Sequence, residues 1–142
     1  MMMRAASFQR GASIVPFDIV VLDAKSRHIR RKLITLQHGD EVLVDFEKPV
    51  MLQHGDCLVL EDGRLAKVIA AEEDLMEVTG PNLLQLAWHI GNRHLAAQIE
   101  LTRILIRRDH VIAHMLEHQG AKVRNVTEPF TPEHGAYHDH GH

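Results

Sequence analysis

The chain has 142 residues, of which 45% are apolar and 25% charged, with a formal net charge of −3. That balance is ordinary for a globular protein and gives no sign of a partner held mainly through its phosphates, so no nucleic acid is expected. A single cysteine, Cys57, excludes an internal disulfide framework and fits a reducing compartment. No apolar run reaches the roughly 18 residues that would span a bilayer. The opening MMMRAASFQRGAS has an early arginine but no apolar stretch behind it, so a secretory signal is not expected and the cytoplasm is the expected location.

From Ala12 to Ala71 the pattern is β throughout. Asp18–Asp23, Arg31–Leu36, Glu41–Phe46, Cys57–Asp62 and Arg64–Ala70 are short, β-branched and partly alternating. Asp62-Gly63 between the last two reads as a hairpin, because glycine tolerates the positive φ of a tight turn. LQHGD occurs twice, at Leu36–Asp40 and Leu52–Asp56, which raises a local duplication of a strand–turn unit. Gly39 and Gly55 make those turns, and His38 and His54 are expected to be exposed on them. Cys57 reads as a small buried hydrophobe.

The acidic run Glu72–Asp74 reads as a linker, and beyond it strands alternate with helices. Leu75–Thr79 is a short strand. Pro81 suits the first turn of a helix with Leu83, Leu84, Ala87 and Trp88 as its apolar stripe and Gly91 as its left-handed stop. Leu95–Glu100 and Arg103–Arg107 form a hairpin. Asp109 caps a second helix with Val111, Ile112, Met115 and Leu116 as its stripe and Gly120 as its stop. Lys122–Val126 closes a β-α-β-β-α-β order, the ferredoxin-like pattern. The fold class is α+β: a β-rich N-terminal domain over residues 1–73, a ferredoxin-like domain over 74–127, and a mobile histidine-containing tail over 128–142.

Histidine is the compositional outlier. There are 12, nine of them from His89 onward, and histidine is the commonest metal ligand. His134, His138, His140 and His142 alternate through the tail; a solvated tail without a role is the plain alternative. His89 lies near the end of the first helix, where it suits the helix dipole. His94 follows that helix and precedes a strand in which Leu95, Ala97 and Ile99 share a face, so it should point away from the local core. His110, His114 and His118 recur at i, i+4, i+8 on one face of the second helix, where two could chelate an ion or simply form a polar face. No H-E-x-x-H motif and no Gly-rich phosphate loop is present.

The blocks HIGNRHLAAQIE, DHVIAHMLEHQGAKV and PFTPEHGAY, followed by a histidine-containing tail, together resemble the UreE family of urease accessory nickel chaperones. The resemblance covers the second half closely and accommodates the β-rich first half, which looks like that family's peptide-binding-type N-terminal domain. It implies that His94, the histidine of Gly-Asn-Arg-His, is a metal ligand at a two-fold dimer interface. It implies a peripheral ligand at His110, with Arg108 standing where some members carry a second histidine, and further ligands among His134, His138, His140 and His142.

The implied protein is a non-catalytic chaperone, a homodimer that donates Ni²⁺ during urease metallocentre assembly, with Zn²⁺ or Cu²⁺ as other possible cargoes. The implied partners are the complex of urease apoprotein and its accessory proteins, including the urease accessory GTPase; no membrane is involved. Nickel accepts imidazole readily. Two alternatives of other classes stand beside this reading. One is a metal-dependent hydrolase using His89, His94 and His110, which lacks a convincing general base. The other is a scaffold whose tail binds metal incidentally.

Overall fold

Two separate patterns of strand pairing organise the chain. The structure is a computed structural model and describes residues 2–11 and 15–133. Its contacts divide the chain into two compact units, Met1–Ala71 and Glu72–His142.

The first unit holds β1 (Met2–Gln9), β2 (Asp18–Leu22), the short α1 (Ala24–Arg27), β3 (His28–Thr35), β4 (Glu41–Met51), β5 (Cys57–Leu60) and β6 (Leu65–Ala70). They make one six-stranded sheet in the order β2-β6-β5-β1-β4-β3. Alternating residues such as Val42, Val44, Phe46, Leu58, Ala66 and Val68 turn inward to form its core. β1 and α1 were not expected from the sequence. β1 occupies the middle of the sheet, parallel to β4 and antiparallel to β5. β4 runs through Pro49 to Met51, and beyond Val44 its pairing is with β3 alone, where a proline without an N–H is tolerated. Gly63 takes φ 87° between the antiparallel β5 and β6, as the hairpin reading requires. Cys57 is buried.

The two LQHGD copies are not a duplicated unit. The first closes the β3–β4 hairpin, whereas the second joins β4 to β5, which are not neighbours in the sheet. Buried polar groups are matched: Arg27 donates to the carbonyls of Leu52 and Leu22 at 3.1 and 3.0 Å, and Asp56 accepts from the Gln53 N–H at 2.7 Å and from Arg10.

The second unit has the expected β-α-β-β-α-β order: β7 (Glu72–Thr79), α2 (Leu83–Asn92), β8 (Ala97–Ile99), β9 (Ile104–Arg107), α3 (His110–His118) and β10 (Lys122–Pro129). Its sheet runs β10-β7-β9-β8, every pair antiparallel. Glu72–Asp74 is therefore not a linker. It is the start of β7, paired with Thr127–Pro129, and Glu73 and Asp74 approach Arg107 and Arg108 at 3.6 and 3.8 Å.

Met76, Val78, Ile104 and Ile106 face the helices and pack with Leu86, Ile90 and Leu116. The stripe expected for α2 is displaced: Leu86 and Ile90 are its buried residues, while Leu84 is 86% exposed and Trp88 64% exposed. Val111 of α3 is likewise exposed rather than packed. Pro81 precedes Asn82, the N-cap of α2, instead of entering the helix.

The other face of this sheet carries Leu75 and Leu105, both fully buried, and an ion cluster. Arg103 donates to Glu77, Glu100 and Glu128 at 2.9–3.1 Å, and Arg124 reaches Glu77 at 2.9 Å. Strand β10 continues past Val126 to Pro129, and Phe130 beyond it is fully buried beneath the Arg107 guanidinium.

Candidate functional site

The end of α2 sets the geometry of the first candidate ligand. The His94 N–H donates to the Gly91 carbonyl at 3.0 Å, and the Leu95 N–H reaches back to Ile90 at 3.4 Å. This is the paired hydrogen bonding of a Schellman ending, with His94 as the residue that must turn left-handed. Its φ is 58°, and among the described residues it is the one non-glycine with positive φ. Gly91, the expected stop, is instead an interior helical residue.

The left-handed conformation costs an L-residue about 1–2 kcal/mol. Placed on a histidine, that cost is a pointer to function. His94 is exposed, as expected, but for a different reason. It belongs to the helix-ending turn and not to β8, which begins at Ala97.

A strap beyond β10 runs to the neighbourhood of this turn. The Thr131 N–H donates to the Gln98 side-chain carbonyl at 2.8 Å, and the Glu133 N–H donates to the Ala97 carbonyl at 2.7 Å. Gln98 in turn donates to Glu100 at 2.7 Å. The strap thus leaves β10 at one edge of the sheet and docks on β8 at the other. Residue 133 is fixed three residues along from His94. The tail histidines His134, His138, His140 and His142, expected as ligands, lie outside the described residues. Gln98 and Glu133 were not legible as positioning groups, since nothing in their spacing signals a contact across about 35 positions.

His110 is the first residue of α3 and is exposed, directly after the cap residue Asp109, whose carboxylate accepts from Val111 and Ile112. The chain neighbours of His94 and His110 meet around one hollow, lined by Leu95, Ala96, Ile106, Arg107, Asp109 and Ile112. His89 is half-buried and lies edge-on to Trp88, with centroids 5.1 Å apart. Among the described residues no three His, Cys, Asp or Glu side chains already converge on a common ion position.

Two histidines of the first unit, His38 and His54, are engaged elsewhere. His38 Nδ1 lies 2.9 Å from Asp18, whose side chain is almost wholly buried. Burial pushes the Asp18 carboxyl up, but the N–H groups of Ile19 and His38 and the His38 imidazole outweigh it and hold it below the usual range. His54 Nδ1 accepts from the Ala70 N–H at 3.1 Å. Both imidazoles are exposed, as expected, yet each is tethered to its own unit.

Exposed apolar groups collect on the second unit. Leu84 and Trp88 stand one turn apart on α2, and Leu101, fully exposed, lies between β8 and β9. Leu83, Leu84, Ala87, Ile99, Leu101 and Ile104 line an apolar groove there.

Comparison with known proteins adds the relationship. The family model for the UreE urease accessory protein N-terminal domain matches residues 5–71, and that for the C-terminal domain matches residues 73–142. The chain is 54% identical over 129 residues to the urease accessory protein UreE of Rhizobium rhizogenes, covering 89% of this chain and 77% of that one. It is 51% identical over 142 residues to urease accessory protein UreE 1 of Brucella suis, covering 96% and 88%. Against the UreE of Ruegeria pomeroyi it is 55% identical over 128 residues, covering 88% and 86%.

Proposed function

This chain belongs to the UreE urease accessory protein family, and we propose that it is a nickel metallochaperone that donates Ni²⁺ during assembly of the urease active site. It is an accessory protein and not an enzyme, so the hydrolase reading is not carried further. The observation that carries the proposal is His94: an exposed imidazole held in a left-handed turn where glycine would cost less. Imidazole nitrogen suits nickel, and also zinc and copper.

A carrier must release what it binds. His94 on a fixed turn sets where the ion sits. His134, His138, His140 and His142 supply ligands that can leave first. The strap supports this division of labour, since three residues span at most about 11 Å between Ala97 and His94, and residues 134–142 reach at most about 30 Å when extended. His110, whose chain neighbour shares a hollow with that of His94, is a peripheral ligand.

The protein acts as a homodimer joined through the second unit, with one His94 from each protomer at a two-fold contact. The exposed Leu84, Trp88 and Leu101 support such a contact, because apolar groups gathered on one surface mark association. Its partners are the urease apoprotein and accessory proteins, including the urease accessory GTPase, in the cytoplasm. The second unit, from Glu72 onward, carries the metal with residues 134–142 as its histidine tail, and the first unit, to Ala71, is the peptide-binding-type domain.

Native mass spectrometry during a nickel titration tests this reading, alongside a urease activation assay. The expected result is a dimer holding one or two ions. His94→Ala should lose the interfacial ion and activation, while removal of residues 134–142 should keep the dimer and at least one weaker ion. A monomer at every nickel level, or full activation by His94→Ala, would overturn it.

A further inference from the structure

Three imidazoles on α3 stand apart from the other described histidines. His38 is held by Asp18, His54 by Ala70, and His89 against Trp88. His110, His114 and His118 are exposed, and among the described residues none of their side chains makes a hydrogen bond, ion pair or ring contact. At about 100° per residue, His114 sits roughly 160° around the helix from Leu116, the residue α3 buries. His118 lies equally far on the other side, so His114 and His118 stand on the outermost face, whereas His110, about 120° from Leu116, turns toward a hollow lined by Met76, Ala113 and Val123. Residues four apart on a helix bring their Cβ atoms to about 5–6 Å, so neighbouring pairs of the stripe can close on one ion.

Helix electrostatics choose between the two pairs. The N-terminal end of α3 is its positive end and opposes a cation held by His110 and His114. The Asp109 carboxylate at that end is already committed to the N–H groups of Val111 and Ile112. The C-terminal end carries the negative partial charge, and His118 lies in that last turn. Glu117, also exposed, adjoins His118 and lies three residues from His114, which adds a carboxylate to the field around this pair.

We infer that His114 and His118 form a second capture site on α3, independent of His94, for a divalent cation of the imidazole-binding class that includes nickel, copper and zinc. The two imidazoles supply the protein ligands, water completes the coordination, and Glu117 contributes charge. Such a site is open and two-coordinate from the protein, suited to fast loading and release rather than storage.

The test uses the full chain, labelled with ¹⁵N, and sub-stoichiometric Ni²⁺, reading paramagnetic broadening of backbone amides. The wild type should show broadening over the last turn of α3 and Gln119–Ala121, separate from any around His94. His118→Ala and His114→Ala should each remove that broadening and weaken this site by about tenfold or more, as expected when one of two linked ligands is lost. His110→Ala should leave it in place. His94→Ala should also leave it in place, so a failure of the His94 reading stays distinguishable. Broadening of α3 confined to its first turn, or unchanged in both His114→Ala and His118→Ala, would overturn the inference.

Discussion

His94 and Gly120 hold the same place in two copies of one helix ending. Each donates its N–H to the carbonyl three residues back at 3.0 Å, and the next residue reaches back a further turn position, Leu95 to Ile90 and Ala121 to Leu116. Gly120 takes φ 94° and His94 takes φ 58°. One ending uses the residue that the left-handed region favours, and the other uses a histidine.

The substitution His94→Gly should therefore stabilise the second unit by about 1 kcal/mol, by removing the left-handed cost of a side chain. His94→Ala should bring no such gain, since alanine carries the same Cβ. Both should lose metal at this position. Urea denaturation of the three proteins without metal checks it. Equal stability of all three would mean that the turn carries no such cost, whereas wild type matching His94→Gly and exceeding His94→Ala would show that the side chain's own contacts offset the strain.

Arg103 governs the acid sensitivity of the second unit. Its hydrogen bonds hold the carboxyls of Glu100 and Glu128 below the usual glutamate range, and those two with Glu77 push the Arg103 guanidinium up. Carboxyls depressed in the folded state contribute stability above their unfolded value of about 4.3, and that contribution is lost as pH falls through the folded values. Arg103→Met leaves the carboxylates facing one another with only Arg124 near. Its cost at pH 7 should be about 2 kcal/mol, less than a fully buried pair because the site is partly exposed. The gap to wild type should close below about pH 4, as read from denaturation midpoints at several pH values.

The order of elements in the second unit was legible because its strands and helices differ in period and its second helix is bounded by Asp109 at the start and Gly120 at the stop. The displaced stripe of α2 was not. Leu83, Leu84, Leu86, Ala87, Trp88 and Ile90 wrap most of the helix, so periodicity alone could not say which four face the sheet. β1 was missed because MMRAASFQ holds no β-branched residue; its strand state comes from two neighbours, β4 and β5, that only the fold provides. His94 was legible through a family motif, but its left-handed backbone was not, since glycine at Gly91 offered the more ordinary stop.

In the first unit the buried Asp18 carboxylate should matter more than the exposed His38 it holds. The N–H groups of Ile19 and His38 donate to it at 2.8 and 3.1 Å. Its folded value lies below the ordinary one, so its contribution is present above about pH 3.9 and is lost on acidification through the folded value. Asp18→Asn should cost about 1–3 kcal/mol at pH 7, since a buried acceptor is replaced by a partial donor. His38→Ala should cost well under that, because its imidazole is mostly exposed and surface pairs contribute about 0–1 kcal/mol. Thermal or urea unfolding of both variants reads the contrast, and a larger loss in His38→Ala would reverse the assignment.

Gln98 should act on metal only through the tail. Its side-chain carbonyl holds the Thr131 N–H, and the adjacent Ala97 carbonyl holds Glu133. With the strap released, the tail would be rooted at the buried Phe130, directly after β10. That strand is the opposite edge of a four-stranded sheet, about 14 Å away at ordinary strand spacing. Moving the root lowers the effective concentration of tail ligands at His94, so Gln98→Ala should weaken nickel binding by about fivefold in the full chain. In a chain lacking residues 134–142 the same substitution should change nothing, because the ligands it positions are gone. Calorimetric titration of the four proteins closes this double-mutant cycle. Equal effects of Gln98→Ala with and without the tail would mean that Gln98 supports the fold of β8 alone. If removal of the tail itself leaves nickel affinity unchanged, the tail is not a ligand donor and the division between a fixed His94 and a movable segment fails at its base.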